Sequence, residues 1–262
     1  MILAGEKKWE PGFALGLVSF FKTTDTVVFS SPSLALISGL IELDRHAARV
    51  KRMRKSILGA AAQHVLQCAK PGFRRGRWAM LTLTYRNDGE WEPSQVRTLL
   101  KHVRQWMQRR GFGMRVVWCL ELTKRLRPHY HVLVYVPRGL SVPKPDKRGW
   151  WPWGMTQIIT CRNAVGYVAK YASKASPEMV AAIPKGARTY GVGGLTLEGA
   201  RIVRWSKAPS FVQKAMGRAA DIRKVVGGYV DACNGVFLRS PWHVHFGVKG
   251  RIFVWSDEQC AF

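Results

Sequence analysis

The segment "RPHYHVLVYVP", residues 127–137, joins two histidines to an apolar run. A short apolar run of this kind is typical of a buried strand. Successive side chains of a strand point to opposite faces, so His129 and His131 share one face, while Tyr130 and Val132 share the other. A buried strand does not need imidazoles. We therefore expect a functional site where this strand begins.

A carboxylate lies in the strand predicted just before it. Glu121 stands between two leucines in "MRVVWCLELT", residues 114–123, where an unpaired carboxylate would be costly to bury. If the two strands pair as a hairpin across "TKRLR", Glu121 comes near His129 or His131. One carboxylate and two imidazoles suit a divalent cation, Mg²⁺ or Mn²⁺ in function, and Zn²⁺ or Ni²⁺ can also bind such a set. The alternative is a pair of exposed hairpin histidines without a metal.

Strands and helices alternate around this hairpin. "RWAMLTLTY" (77–85) predicts a strand, and residues 94–111 predict an amphipathic helix. A fourth strand is predicted at 156–161, and a helix follows from about Asn163. This order predicts an α+β fold in which an antiparallel sheet carries helices on one side.

The helix after the fourth strand contains "AVGYVAKYASKA", residues 164–175. At about 100° per residue, Tyr167, Lys170, Tyr171 and Lys174 fall on one narrow face, and the apolar residues fall on the opposite one. A tyrosine oxygen can act as a nucleophile, and a nearby lysine can lower its pKa from about 10. The alternative is a surface helix with half-buried tyrosines and lysines whose alkyl stems are buried.

The charge of the chain is strongly positive. Its 262 residues include 42 Lys and Arg against 16 Asp and Glu, a net charge of +26. Such an excess indicates a polyanionic partner, most often nucleic acid, with an anionic membrane surface as the alternative. The apolar stretches at 13–21 and 33–43 are too short to span a bilayer, and no secretory signal is recognisable. Five cysteines without a CxxC pair argue for reduced thiols in a cytosol.

Residues 44–70 predict a helix whose first half is basic, with Asp44 as N-cap and Pro71 beyond its end. We expect basic side chains of this helix to contact the DNA backbone, with a solvated helix face as the alternative. The candidates are Arg49, Arg52 and Arg54.

Three motifs together resemble those of the HUH endonucleases, and in particular the two-tyrosine rolling-circle replication initiators (Rep proteins) of single-stranded DNA phages and plasmids. "LTLTY" is similar to the first motif of that family, and Glu121, His129 and His131 are similar to its metal motif. Tyr167 and Tyr171, in the pattern YxxKY, with Lys170 and Lys174, resemble the third motif. The resemblance covers about residues 77–176, and the motif order is that of replication initiators rather than of conjugative relaxases.

The resemblance implies a Rep nuclease fold with an RRM-like core at 71–180. An N-terminal extension with the basic helix (1–70) would precede it, and a C-terminal extension of short strands and turns (181–262) would follow. The implied activity is metal-dependent, site- and strand-specific nicking and joining of single-stranded DNA at a replication origin, through a 5′-phosphotyrosine, in the cytoplasm of a bacterial host. Arg125 and Arg127, in the hairpin turn, are expected to bind the DNA.

Rival functions remain open. A transposase of the same superfamily would use the same site on transposon ends, a basic nucleic-acid-binding protein would need no tyrosine, and a zinc hydrolase would use water as its nucleophile. No GxxxxGK[ST] run is present, so we expect dependence on a host helicase and DNA polymerase. A second His-x-His pair, His243 and His245, has no acidic residue in an adjacent apolar strand and is expected to be structural.

Overall fold

A computed structural model describes residues 40–87, 89–123, 125–184 and 186–256. The apolar stretch at 13–21 and most of that at 33–43 lie outside these ranges. Everything below concerns the described residues.

Strands and helices alternate along the described chain. The helices are α1 (Arg45–Cys68), α2 (Gln95–Gln108), α3 (Ala164–Ser173), α4 (Pro177–Ala181), α5 (Leu197–Lys207) and α6 (Ser210–Ala215). The strands are β1 (Ile41–Glu42), β2 (Gly76–Leu83), β3 (Val116–Leu122), β4 (Pro128–Pro137), β5 (Thr156–Cys161), β6 (Tyr190–Gly193), β7 (Ile222–Val225), β8 (Gly228–Asp231), β9 (Phe237–Arg239), β10 (Trp242–Phe246) and β11 (Ile252–Ser256). Of these helices, none is both long and apolar enough to cross a lipid bilayer.

The central sheet has five strands in the order β5-β2-β4-β3-β6, and neighbouring strands are antiparallel. The segment quoted first forms β4, the middle strand, with β2 on one side and β3 on the other. The hairpin register sets Glu121 opposite His129, and Thr82 of β2 lies opposite His131. The predicted α+β class and the antiparallel sheet are confirmed.

Helices cover both faces of this sheet. On the face of His131, α1 and α3 pack against each other and against β3. On the face of Tyr130, the Trp91 indole donates to the Tyr130 hydroxyl, and Tyr85 donates to Gln95 at the start of α2. The sheet is therefore flanked on two sides, not on the single side that the strand order suggested. The reason is that β4 is apolar on both faces, so each face needs a cover.

Helix α1 is part of the main core. The Asp44 carboxylate accepts from the backbone N–H groups of His46 and Ala47, which confirms it as N-cap. The boundary predicted at residue 70 does not coincide with a break in packing, because the apolar side of α1 belongs to the same core as the sheet. Its buried residues are Val50, Met53, Ser56, Ile57, Ala60, Ala61 and His64.

His64 is an unusual member of that core. It is fully buried, and neither ring nitrogen has a hydrogen-bond partner among the described residues. Burial disfavours the charged imidazolium and lowers the pKa of His64 to about 4, and the positive charge of Arg115 acts in the same direction. The side chain is therefore a neutral imidazole at physiological pH.

The C-terminal part contributes to the central sheet as well as forming smaller units. Strand β6 pairs with β3, and α5 packs against α1. Two three-stranded sheets follow, β1-β11-β10 and β7-β8-β9. Short strands were expected here, but α5 was not. It is capped by the Thr196 hydroxyl, which accepts from the Gly199 N–H.

Candidate active site

The strand register gathers an acid and two imidazoles on one face of β3 and β4. Glu121 lies directly opposite His129, and His131 follows two residues later on the same face. The Glu121 Oε2 and His131 Nε2 atoms are 2.7 Å apart. The two side chains are only 14% and 6% exposed. Their mutual hydrogen bond offsets the cost of burying both polar groups.

Lys174 is the second partner of this carboxylate. Its Nζ donates to Glu121 Oε1 at 2.7 Å. Burial opposes ionisation of Glu121, but the hydrogen bonds from His131 and Lys174 outweigh it and lower the pKa of Glu121 to about 2. The carboxylate is therefore charged at neutral pH and can only accept hydrogen bonds.

This charge state determines how His131 is protonated. Because ionised Glu121 accepts, the His131 Nε2 must carry the proton and donate it. In the neutral ring, Nδ1 is then an acceptor, and the Thr82 hydroxyl lies 3.4 Å from it. Thr82 belongs to the "LTLTY" strand, and its contact with His131 follows from strand pairing that the sequence did not reveal.

The donor set fits the predicted divalent cation in kind. Ligand atoms at about 2.1 Å from one ion lie about 3 Å apart when their bonds are at right angles, close to the Glu121–His131 contact. The pKa of His129 is lowered by burial and by His131, which keeps this ring neutral and able to bind a metal. Among the described residues, however, no three His, Cys, Asp or Glu side chains are grouped as a metal site. Mg²⁺ or Mn²⁺ at Glu121, His129 and His131 stays a prediction.

Helix α3 brings the tyrosines to the same face of the sheet. The Asn163 side chain caps the helix by accepting from the Gly166 N–H at 2.8 Å, and Val168 anchors the apolar side in the core. The Tyr171 ring stacks on the His131 imidazole, with centroids 3.6 Å apart and planes 16° apart. Two motifs that are distant in the sequence are thus in direct contact.

The two tyrosines differ in their surroundings. Burial raises the pKa of Tyr171, and the Glu121 carboxylate adds to this, while Lys174 opposes it. Lysine was expected to lower the pKa of a nucleophilic tyrosine, but at Tyr171 burial dominates. The Lys170 and Lys174 ammonium groups lie 5.9 and 5.4 Å from the centre of its ring. Tyr167, one turn earlier, is half-buried against the core.

Two of the arginines expected to bind DNA form hydrogen bonds within the fold. Arg54 donates to the carbonyl oxygens of Ala172, Ser173 and Ala175, at the C-terminal end of α3. Arg49 donates to the carbonyl oxygen of Ala187 at 2.6 Å. These bonds hold α1 to the tyrosine helix and to the segment before β6.

The other predicted DNA-binding arginines are exposed. Arg52 lies on the outer side of α1, and Arg125 and Arg127 lie in the β3–β4 turn, next to the end of the strand that carries His129. The Arg127 N–H bonds to the Thr123 hydroxyl, which closes this turn. A phosphate chain that reaches the tyrosines can meet these side chains at the edge of the site.

Sequence reasoning missed two side chains beside the histidines. Cys119 lies opposite His131 and also opposite Tyr190 of β6, and burial raises its pKa to about 12. Tyr190 is half-buried on the same sheet face. Only the strand register reveals them. The second His-x-His pair lies apart, on β10, where His243 stacks on Trp255.

Comparison with curated proteins and with solved structures gives no match. A match to a protein family is found for residues 78–176, a little over a third of the chain. This segment runs from β2 to just beyond α3 and includes every residue of the candidate active site described above. It nearly coincides with the 77–176 range of the resemblance in the sequence. The family that it matches is that of the replication-associated proteins of the ORF2 type.

Proposed function

We propose that this protein nicks and rejoins single-stranded DNA at a replication origin through a tyrosine–DNA intermediate. One observation carries the proposal: the Tyr171 ring stacks on His131, which is bonded to Glu121, and Glu121 in turn is bonded to Lys174. A candidate nucleophile, a candidate metal-binding pair and a cation therefore meet in one place. The similarity of residues 78–176 to a replication-associated family supports the same reading.

The proposed step is a transesterification. The phenolic oxygen of Tyr167 or Tyr171 attacks the scissile phosphorus, an O–P bond forms, and the bond to the 3′ oxygen breaks. The phenol loses a proton and the leaving 3′ oxygen gains one. The products are a 5′-phosphotyrosine and a free 3′-OH, and the reverse reaction rejoins the strand because one phosphodiester has replaced another.

The residues around the tyrosines have separate tasks in this proposal. Lys170 and Lys174 supply positive charge beside the phosphate, which stabilises the charge that develops on its oxygens. Glu121 fixes His131 and holds Lys174 by its 2.7 Å hydrogen bond. A divalent ion held by Glu121, His129 and His131 would polarise the phosphate as a Lewis acid. Arg52, Arg125 and Arg127 would bind the DNA backbone.

The test is covalent capture. A pool of single-stranded oligonucleotides, labelled at the 3′ end, is incubated with the protein and Mn²⁺ and separated on a denaturing protein gel. We expect labelled protein that resists denaturation and disappears with a chelator. Tyr167→Phe and Tyr171→Phe should each keep some adduct, and the double variant should have none.

Tyr229→Phe is the matched control, since this tyrosine lies on β8 in a separate sheet. It should form adduct at the normal level. An adduct that survives in the Tyr167→Phe/Tyr171→Phe protein would place the nucleophile elsewhere, with Tyr190 the next to test. Cleavage without any adduct would favour a hydrolase that uses water, and DNA binding without either product would favour a non-catalytic protein. A transposase would share the adduct and differ in the DNA sequence that it selects.

A further inference from the structure

The end of the sheet remote from the tyrosines is rich in arginine. Strands β2 and β3 begin there, β4 ends there, and α2 ends beside them. The segments 70–77, 108–116 and 136–141 contain no Asp or Glu. Their arginines are Arg74, Arg75, Arg77, Arg109, Arg110, Arg115 and Arg138. Within the described part of the chain, none of these seven forms a salt bridge with an acidic side chain.

A cleft of about 240 Å³ opens among these arginines. We call it the distal cleft, and the lining residues that matter here are Phe73, Arg74, Phe112, Arg115 and Tyr135. Tyr135 is four residues after His131 on β4, so the distal cleft lies about 13 Å along the strand from the candidate active site. It is therefore a separate place on the molecule, within reach of one oligonucleotide.

The distal cleft combines flat groups with positive charge. The Arg74 guanidinium lies 4.7 Å from the centre of the Phe112 ring, and that of Arg115 lies 4.9 Å from the centre of the Phe73 ring. The Phe73 ring also packs edge-on against Tyr135. Aromatic rings and guanidinium planes are the surfaces on which unpaired bases stack. A duplex, whose bases are already stacked, cannot use them in this way.

We infer that the distal cleft binds an unpaired base of single-stranded DNA, while the surrounding arginines bind its phosphates. Arg74 and Arg75 are exposed and suited to phosphate contact. Arg115 is held in place by its bond to the Gly194 carbonyl oxygen at 2.9 Å, so it is a preformed platform. The inference rests on the proposed function for the choice of DNA. It adds a second point of attachment that holds the strand at a distance from the tyrosines.

Gly113 allows the cleft to be filled without removing any charge. It lines the cleft, its backbone is not left-handed, and a Cβ atom there would meet nothing within 4 Å. Gly113→Leu should weaken binding of fluorescent (dT)₂₀ by about 5-fold or more, the lower end of the loss known for one stacked base, without changing the salt dependence. Gly217→Leu is the control, since a Cβ there also meets nothing within 4 Å. It should bind normally.

The phosphate contacts need a second variant. Arg74→Gln/Arg75→Gln should reduce the slope of log affinity against log salt by about 1.4, since each phosphate contact on a single strand contributes about 0.7. Lys224→Gln/Arg239→Gln removes the same charge from two exposed positions on the β7-β8-β9 sheet and should leave the slope unchanged. All binding is measured by fluorescence anisotropy in a chelator, so that nicking plays no part.

Either of two results would overturn the inference. One is equal affinity of Gly113→Leu and Gly217→Leu for the single strand. The other is an equal loss by Gly113→Leu for single-stranded and duplex DNA, because that would indicate a charged surface without a base in the cleft. Failure of the proposed function would look different: no covalent adduct would form with Mn²⁺, while the effects of Gly113→Leu on binding would persist.

Discussion

Arg54 offers the clearest separation of a structural role from a DNA-binding role. The sequence placed it on a basic helix face, but its guanidinium donates at 3.0, 3.0 and 2.7 Å to three carbonyl oxygens at the end of α3. A hydrogen bond contributes about 0.5–1.5 kcal/mol on balance, and a cation at a helix C-terminus adds about 0.3–1 kcal/mol. Arg54 is exposed enough for water to replace part of this. We therefore expect a total contribution of about 2 kcal/mol.

The perturbation is Arg54→Met, which keeps much of the alkyl stem and removes the guanidinium. Urea unfolding should show a free energy of unfolding lower by about 2 kcal/mol. Arg54→Lys should fall between the variant and the original protein, because an ammonium keeps the charge but lacks the planar fork. The salt slope of (dT)₂₀ binding should not change in either variant. Because the carbonyls belong to the tyrosine helix, adduct formation should slow in Arg54→Met.

Arg52→Met is the matched control, two residues away on the exposed side of α1. It should leave the stability unchanged and, if Arg52 binds a phosphate, reduce the salt slope by about 0.7. The reasoning about Arg54 fails if Arg54→Met is as stable as the original protein and instead shows that reduced salt slope. Arg54 would then be a DNA contact, as the sequence suggested.

Three other predictions concern acid stability, metal binding and energy use. The folded-state pKa of His64 is lowered from 6.5 to about 4, so the unfolded state binds the proton more readily, and stability should fall by about 3 kcal/mol as pH drops from 6.5 to 4; His64→Leu should remove this slope in urea unfolding measured against pH. Calorimetry with Mn²⁺ should give one ion per chain, lost in His129→Ala/His131→Ala and kept in His243→Ala/His245→Ala, and loss in the second pair alone would move the metal site to β10. The purified chain should show no DNA-stimulated ATP hydrolysis, and a phosphate-release assay that finds it would reveal a motor that the sequence motifs do not indicate.

The hairpin was predictable because its information is local. Alternation along β3 and β4 and a short turn between them place Glu121 near the histidines, and the structure has this register. Strand β6 was not predictable in the same way, since its pairing with β3 is distant in sequence. Its glycines have the appearance of a turn in the sequence. In the structure, a Cβ at Gly191 would lie 2.3 Å from the Trp118 Nε1, so glycine is needed for close packing of one strand on another.

The chemistry of the site was predictable by residue type but not by contact. The helical period of α3 showed that Tyr167, Lys170, Tyr171 and Lys174 share a face, but not which of them meets Glu121. That depends on how α3 lies on the sheet, and on Arg54, which holds its last turn. A basic residue on a helix has the same appearance in sequence whether it contacts a phosphate or a carbonyl oxygen.

The same placement argues against treating the two tyrosines as equivalent, although the sequence spacing makes them so. Tyr171 is stacked on His131 and its pKa is raised chiefly by burial, so ionising its hydroxyl costs more than in water. To attack a phosphate, it needs either positive charge from the DNA-bound state or movement away from the imidazole. Tyr167 is one helical turn away and, within the described part of the chain, makes no such stack on His131. We therefore expect Tyr171→Phe to lose less of the first nicking event than Tyr167→Phe, and the reverse order, measured as adduct formed in a single turnover, would show that contact with His131 activates Tyr171 instead.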